Sequence, residues 1–167
     1  MRISDLEQET LDLDWFGVDP SGAIAHFATG GKGFLPDSVI ASKEELMVLS
    51  DYFKHELCAS CEAQISDNVD SQVRLPDKSR ESKEFYLRDY RNMAQKGLYS
   101  FDFIDRQPVR PTGYFLVARP ELPIRIANLP AGIQIILKKT RILVAIRDVE
   151  VIEKKDVTQE EGFWERG

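Results

Sequence analysis

The sequence predicts a single α+β domain in which an N-terminal β-hairpin opens an antiparallel sheet packed against two main helices and a possible short third one. Three observations predict it. The stretch from Leu11 to Pro36, LDLDWFGVDPSGAIAHFATGGKGFLP, reads as two strands joined by a tight turn and followed by a glycine-rich loop. Two later segments carry apolar residues at helical spacing, and apolar runs bounded by Pro and Gly recur after residue 98. With 167 residues, 43% of them apolar, the chain has material for one core of ordinary size. The domain is placed over 1–157, with 158–167, TQEEGFWERG, as a flexible acidic tail whose Phe163 and Trp164 could dock on the body.

The hairpin turn is Asp19-Pro20-Ser21-Gly22: Asp suits the first position of a type I turn, Pro presets φ at the second, and Gly is free to leave with positive φ. Leu11, Leu13 and Trp15 alternate with Asp12 and Asp14, but Phe16 and Val18 add apolar groups on the other face, so one end of the first strand is expected to be buried on both sides. Gly30, Gly31 and Gly33 invite comparison with a phosphate cradle, yet Lys32 is followed by Gly33 where a P-loop needs Ser or Thr. A sharp turn between strand and helix accounts for them better.

Ser42-Lys43-Glu44-Glu45 has the form of a capping box, and Leu46, Leu49, Phe53 and Leu57 make the buried stripe of the helix it starts. Ile65 to Lys78 reads as a long polar connection. A second helix spans about Ser79 to Lys96, with Tyr86, Tyr90, Met93 and Ala94 on one face and Gly97 as its stop. Strands are expected at Leu98–Ile104 and Gly113–Ala118, linked by RQPVRP, which places Arg106, Arg110 and Arg119 on or near connections. A brief strand at 124–126 follows the break Arg119–Pro123. Leu129-Pro130 looks like a helix entry, although Ile133, Ile136 and Leu137 fit a strand as well. Arg141–Ile146 reads as an apolar strand that Val149–Ile152 could extend.

Charge is segregated along the chain. Residues 1–72 hold 14 acidic and 4 basic side chains, net −10; 73–147 hold 7 and 15, net +8; 148–167 hold 7 and 3, net −4. A sequence pI near 5 disfavours a nucleic-acid role, and separate charged faces suit a charged protein partner. The start, MRISDLEQET, is acidic, and no apolar run approaches the length of a membrane span, so a cytoplasmic location is expected.

Chemistry-bearing motifs are sparse. Cys58 and Cys61 form CASC, half of a tetrahedral metal set that His26 and His55 would have to complete; two ordinary thiols are the simpler reading. His26 alternates with Ile24 and Ala28 as a structural histidine would. HExxH, GxSxG, dinucleotide and Walker motifs do not occur. No cofactor, metal or catalytic residue is nominated.

The segments LDLDWFGVDPSGAIAHFATGG, RDYRNMAQKGLYSFD and PELPIRIANLP resemble a set of small bacterial α+β proteins similar to the immunity proteins of polymorphic contact-dependent toxin systems. The resemblance implies a module that neutralises a cognate toxin by direct binding, and it implies no particular functional residue. On what the resemblance implies, an acidic surface of Asp12, Asp14, Asp37, Glu44, Glu45 and Asp51, with Trp15 as an aromatic at its edge, would cover a basic toxin domain, while the Arg-rich middle could face an acidic one; the larger imbalance favours the acidic surface. Two alternatives stand beside it: a small-molecule or enzyme pocket between the glycine loop and the second helix, lined by Tyr86, Tyr90 and Arg91, and a self-associating scaffold.

Overall fold

The turn chemistry at Asp19 is realised in full: Gly22 N–H donates to Asp19 O at 3.0 Å and Gly22 has φ +88°. It joins β1 (Asp14–Val18) to β2 (Ile24–Ala28) as antiparallel neighbours, with Phe16 opposite His26. The computed structural model describes residues 1–73, 75–105 and 113–158. Before the hairpin lies α1 (Asp5–Thr10), capped by Ser4 in a reciprocal capping box with Glu7. After it come α2 (Asp37–Ile40) and α3 (Lys43–Asp51), whose N-cap Ser42 accepts Glu45 N–H at 3.2 Å. The helix leaves α3 through a wider π-type turn, Tyr52–Glu56, closed by Leu57 N–H on Tyr52 O at 2.9 Å.

The remaining elements are β3 (Ala63–Ile65), α4 (Val69–Gln72), α5 (Arg80–Gln95), β4 (Tyr99–Phe103), β5 (Gly113–Pro120), α6 (Ala131–Leu137) and β6 (Val151–Glu153). They form a six-stranded sheet in the order β1-β2-β4-β5-β3, with β6 also on β5. The α+β reading and the opening hairpin are both present, but the sheet is mixed, because β2 and β4 run parallel. A parallel pair needs a crossover, and α2 to α5 supply it.

Alternation sorts side chains to two faces. One face gathers Trp15, Phe27, Phe101 and Tyr114 with Phe34, Ile142, Ile146 and Ile152. The other packs Phe16, Val18 and Ile24 against Leu49 and Phe53 of the α3 region, Met93 of α5 and Ile133 and Leu137 of α6. Trp15 through Val18 are all buried, the two-sided burial expected of that strand end. Gly97 ends α5 at φ +98°, with Ile124 N so close that a Cβ would stand 2.8 Å from it.

Several expectations are corrected. The connection 65–78 is not structureless: β3 ends at its start and α4 lies within it. Arg119 lies inside β5, which continues to Pro120 at the end where Pro120 pairs with Ala63. In place of a strand at 124–126, Arg125 makes one bridge to Ala23 and a 3-10 turn follows at Ile126–Asn128. Arg141–Ile146 is not a strand either; Arg141 and Ile142 make single bridges to Val18 and Val157, and the chain then turns through Ile146–Asp148. The segment plugs an edge of the sheet, Ile142 entering beside Gly17, where a Cβ would stand 2.8 Å from it. RQPVRP, Arg106 and Arg110 lie outside the described residues, as do residues 159–167 with Phe163 and Trp164.

Candidate functional site

The seven expected surface residues are not one cluster. Trp15 is the correction: it is fully buried, stacked on Phe27 at 3.9 Å between ring centres, its Nε1 donating to Tyr114 Oη at 3.1 Å. It is not an aromatic at an exposed edge. Asp14 points to the opposite face of β1, where its carboxylate lies 3.2 Å from His26 Nε2 and 3.1 Å from Lys54 Nζ. Asp12 is exposed and accepts Gly30 N–H at 3.0 Å, tying the glycine loop to the start of β1.

Asp37, Glu44, Glu45 and Asp51 do share a region, the surface of α2 and α3. Main-chain bonds set α1 beside them: Ile3 N–H donates to Ile40 O and Lys43 N–H to Met1 O, both at 2.8 Å. Glu45 is neutralised by Lys139 of the α6 end at 2.7 Å, Lys43 is taken by Glu7 at 2.5 Å, and Glu44 meets the N-terminal ammonium at 2.6 Å. Asp37 and Asp51 are exposed and make no ion pair among the described residues. Between Glu44 and Asp51 on the outer side of α3 stand Met47 and Val48, 56% and 47% exposed. The sequence reading passed over this pair. The signal was available, since positions 44, 47, 48 and 51 lie opposite the buried stripe 46, 49, 53.

A second polar group crosses the helical face of the sheet. Ser100 Oγ and His26 Nδ1 are 2.7 Å apart, both residues buried, and His26 Nε2 reaches Asp14 at ion-pair distance without a well-aligned hydrogen bond. Two residues along β4, on the same face, Asp102 accepts Tyr86 Oη–H at 2.6 Å and Phe103 N–H at 2.9 Å. Burial pushes Asp102 up to about 6 against the lowering effect of hydrogen bonds from Tyr86, Tyr90 and Phe103 N–H. Burial also raises Asp14, but the close contacts of His26 and Lys54 with its carboxylate outweigh it and hold the carboxyl at about 2. The Ser-His-Asp order resembles a hydrolytic triad, yet Ser100 has no exposed surface and lies mid-strand, so as folded its hydroxyl has no path to a substrate. This row joins β1, β2 and β4 to the helices.

No protein-family model, curated protein or solved structure matches this chain.

The glycine loop spends its amides internally. Gly31 N–H goes to Thr29 Oγ1, and Lys32 and Gly33 N–H go to Thr29 O, which leaves no ring of free donors for a phosphate. The loop packs beside Phe103 and Tyr114, whereas Tyr86 and Tyr90 lie on the other sheet face, so those groups do not line one pocket; Arg91 is paired with Glu84 at 2.6 Å. A concavity of about 490 Å³ lies elsewhere, between α4 and the start of α5, lined by apolar Val69, Val73 and Leu75 and by charged Asp70, Lys78 and Lys83. The helix ends at Glu56, so His55, Cys58 and Cys61 share no helical face; Cys58 is exposed and Cys61 Sγ lies 3.4 Å from Ala94 O. No group of three metal-ligating side chains occurs among the described residues. Among them, too, no helix is long and apolar enough to cross a membrane.

Proposed function

We propose that this chain is a protein-binding module that neutralises a basic bacterial toxin domain by covering it, as an immunity protein does. The observation that carries the reading is the unspent negative charge of the N-terminal half: Asp5, Glu9, Asp37 and Asp51 are exposed and make no ion pair among the described residues. Of the basic side chains in residues 1–72, Arg2 alone makes no ion pair among the described residues; Lys32 is held by Asp105, Lys43 by Glu7 and Lys54 by Asp14, and Lys139 at the α6 end by Glu45, so negative charge remains in excess. A face of one sign accelerates encounter with an opposite face and repels wrong partners.

The test is a binding titration with the protein encoded beside this one, with protection of cells producing that protein as the second readout. A one-to-one complex is expected that weakens as salt rises, with association slowed about tenfold by Asp37→Lys with Asp51→Lys. Failure of the pair to associate, or of the complex to protect, overturns the reading. A second reading, small-molecule binding, draws on the concavity of about 490 Å³ beside α4. A ligand-induced rise in melting temperature that Val73→Trp abolishes would favour it instead.

A further inference from the structure

Cys58 and Cys61 belong to none of the three apolar clusters and to no part of the proposed interface. They are the chain's two cysteines, both are free thiols, and both lie in the short link between the π-type turn and β3. A thiol kept for packing is buried, whereas Cys58 is exposed and Cys61 half-buried. A metal needs further ligands, and no group of three ligating side chains occurs among the described residues. An accessible cysteine with a second one three positions on supplies a dithiol instead: one sulfur reacts and the other resolves it.

The link is anchored on one side. Ser60 and Cys61 N–H both donate to Gln95 O at the end of α5, at 2.8 and 3.1 Å, and Cys61 Sγ lies 3.4 Å from Ala94 O. Among the described residues Cys58 and Ala59 N–H donate to no backbone carbonyl, and Cys58 Sγ lies 3.9 Å from Glu56 O. Directly before Cys58, Leu57 N–H closes the π-type turn on Tyr52 O at 2.9 Å. We infer that Cys58 and Cys61 form a reversible dithiol–disulfide site, oxidised by a low-molecular-weight disulfide such as oxidised glutathione, and that closing it draws Cys58 toward the anchored Cys61 and loosens the end of that turn. The Cys58 thiolate attacks one sulfur of the small disulfide, whose S–S bond breaks and releases one thiolate. The Cys61 thiolate then attacks Cys58 Sγ, the mixed disulfide breaks, and the second small thiolate leaves. The protons lost by the two cysteines go to the two released thiolates, and two electrons pass from the protein to the oxidant. Exposed Cys58 admits the oxidant, while half-buried Cys61 has to meet only Cys58. The site stands whether or not the chain binds a toxin.

The test equilibrates the reduced full chain with glutathione buffers of rising oxidised fraction, blocks free thiols with iodoacetamide and measures the intact mass. The expected product is about 2 Da lighter than the reduced chain, carries neither glutathione nor alkyl group, and is reversed by dithiothreitol. Cys61→Ser should stop at a single glutathione on Cys58, and Cys58→Ser should take up glutathione about tenfold more slowly than Cys61→Ser does. In amide hydrogen exchange the disulfide form should lose about tenfold of its protection at Leu57, while Ser60 and Cys61 keep theirs. Two glutathiones on one chain, a covalent dimer in place of the internal bond, or thiols that remain alkylatable at every ratio overturn the site. An internal disulfide that leaves exchange at Leu57 unchanged overturns its coupling to the turn.

Discussion

Asp19 has 2% of its surface exposed, and its carboxylate serves two distant parts of the chain. Oδ1 accepts Ser21 N–H at 2.9 Å, Ser21 Oγ–H at 2.7 Å and Ala23 N–H at 3.0 Å, which closes the hairpin turn. Oδ2 accepts Ile146 N–H at 2.9 Å, pinning the C-terminal segment to the hairpin. A turn aspartate on the surface is worth about 1 kcal/mol, whereas one that leaves buried N–H groups unpartnered costs several. Asp19→Ala is therefore expected to lower unfolding free energy by about 3 kcal/mol. Asp19→Asn should lose about half as much, because its remaining oxygen still serves the turn while its amide faces Ile146 N–H. Urea unfolding of both variants checks this; a loss under about 1 kcal/mol for the alanine variant would show that the Ile146 contact contributes nothing.

At the scale of elements, the π-type turn after α3 is held from outside. Lys96, at the end of α5, donates from Nζ to Phe53 O at 2.6 Å and Lys54 O at 2.9 Å, carbonyls the turn leaves without ladder partners, and burial lowers its pKa. Lys96→Met keeps the aliphatic stem and removes the donors. Thermal unfolding should show a loss of about 1–2 kcal/mol, and hydrogen exchange should quicken at Leu57, whose N–H closes the turn. None of this was legible in the sequence, because the lysine and the carbonyls are some forty positions apart. What was legible is local: Ser42 as a cap, the stripe of α3, Gly97 as a stop, the Asp19 turn. Arg141–Ile146 misled because apolar composition records burial and not pairing; Ile142 fills the space Gly17 leaves open and needs no ladder. The candidate acids could be named from the sequence, but not which of them are spent, since Glu45 of α3 finds Lys139 and Asp14 of β1 finds His26 through tertiary packing. Trp15 was misplaced for a related reason: alternation with aspartates shows which residues share a face, and both faces of β1 turned out to be covered.

For the whole molecule, two carboxyls on the helical face of the sheet bias stability in opposite directions with pH. Asp14 falls from 3.8 to about 2 in the fold, so its contribution is complete above about pH 4 and is lost as pH drops toward 2. Half-buried Glu7, also lowered to about 2 by its hydrogen bond from Lys43, acts in the same sense. Asp102 rises from 3.8 to about 6, so the native state holds this proton more tightly than the unfolded chain does. Its contribution is present below about pH 4 and is lost as pH climbs through 6. As far as these groups govern it, stability should increase by on the order of 2 kcal/mol from pH 7 to pH 4.5, then decline below pH 4. Asp102→Asn keeps a side chain that can accept from Tyr86 and removes the titration. Its unfolding midpoint in urea should thus be nearly flat between pH 7 and 4.5 while the acid decline persists. Should the variant retain the full rise, the slope belongs to another group, and Asp102 is ionised in its bed of tyrosines at neutral pH without penalty. Should Asp102→Asn instead lose stability at every pH, the carboxylate's hydrogen bonds to α5 outweigh the cost of burying its charge, and the sheet depends on that ion to hold the helix.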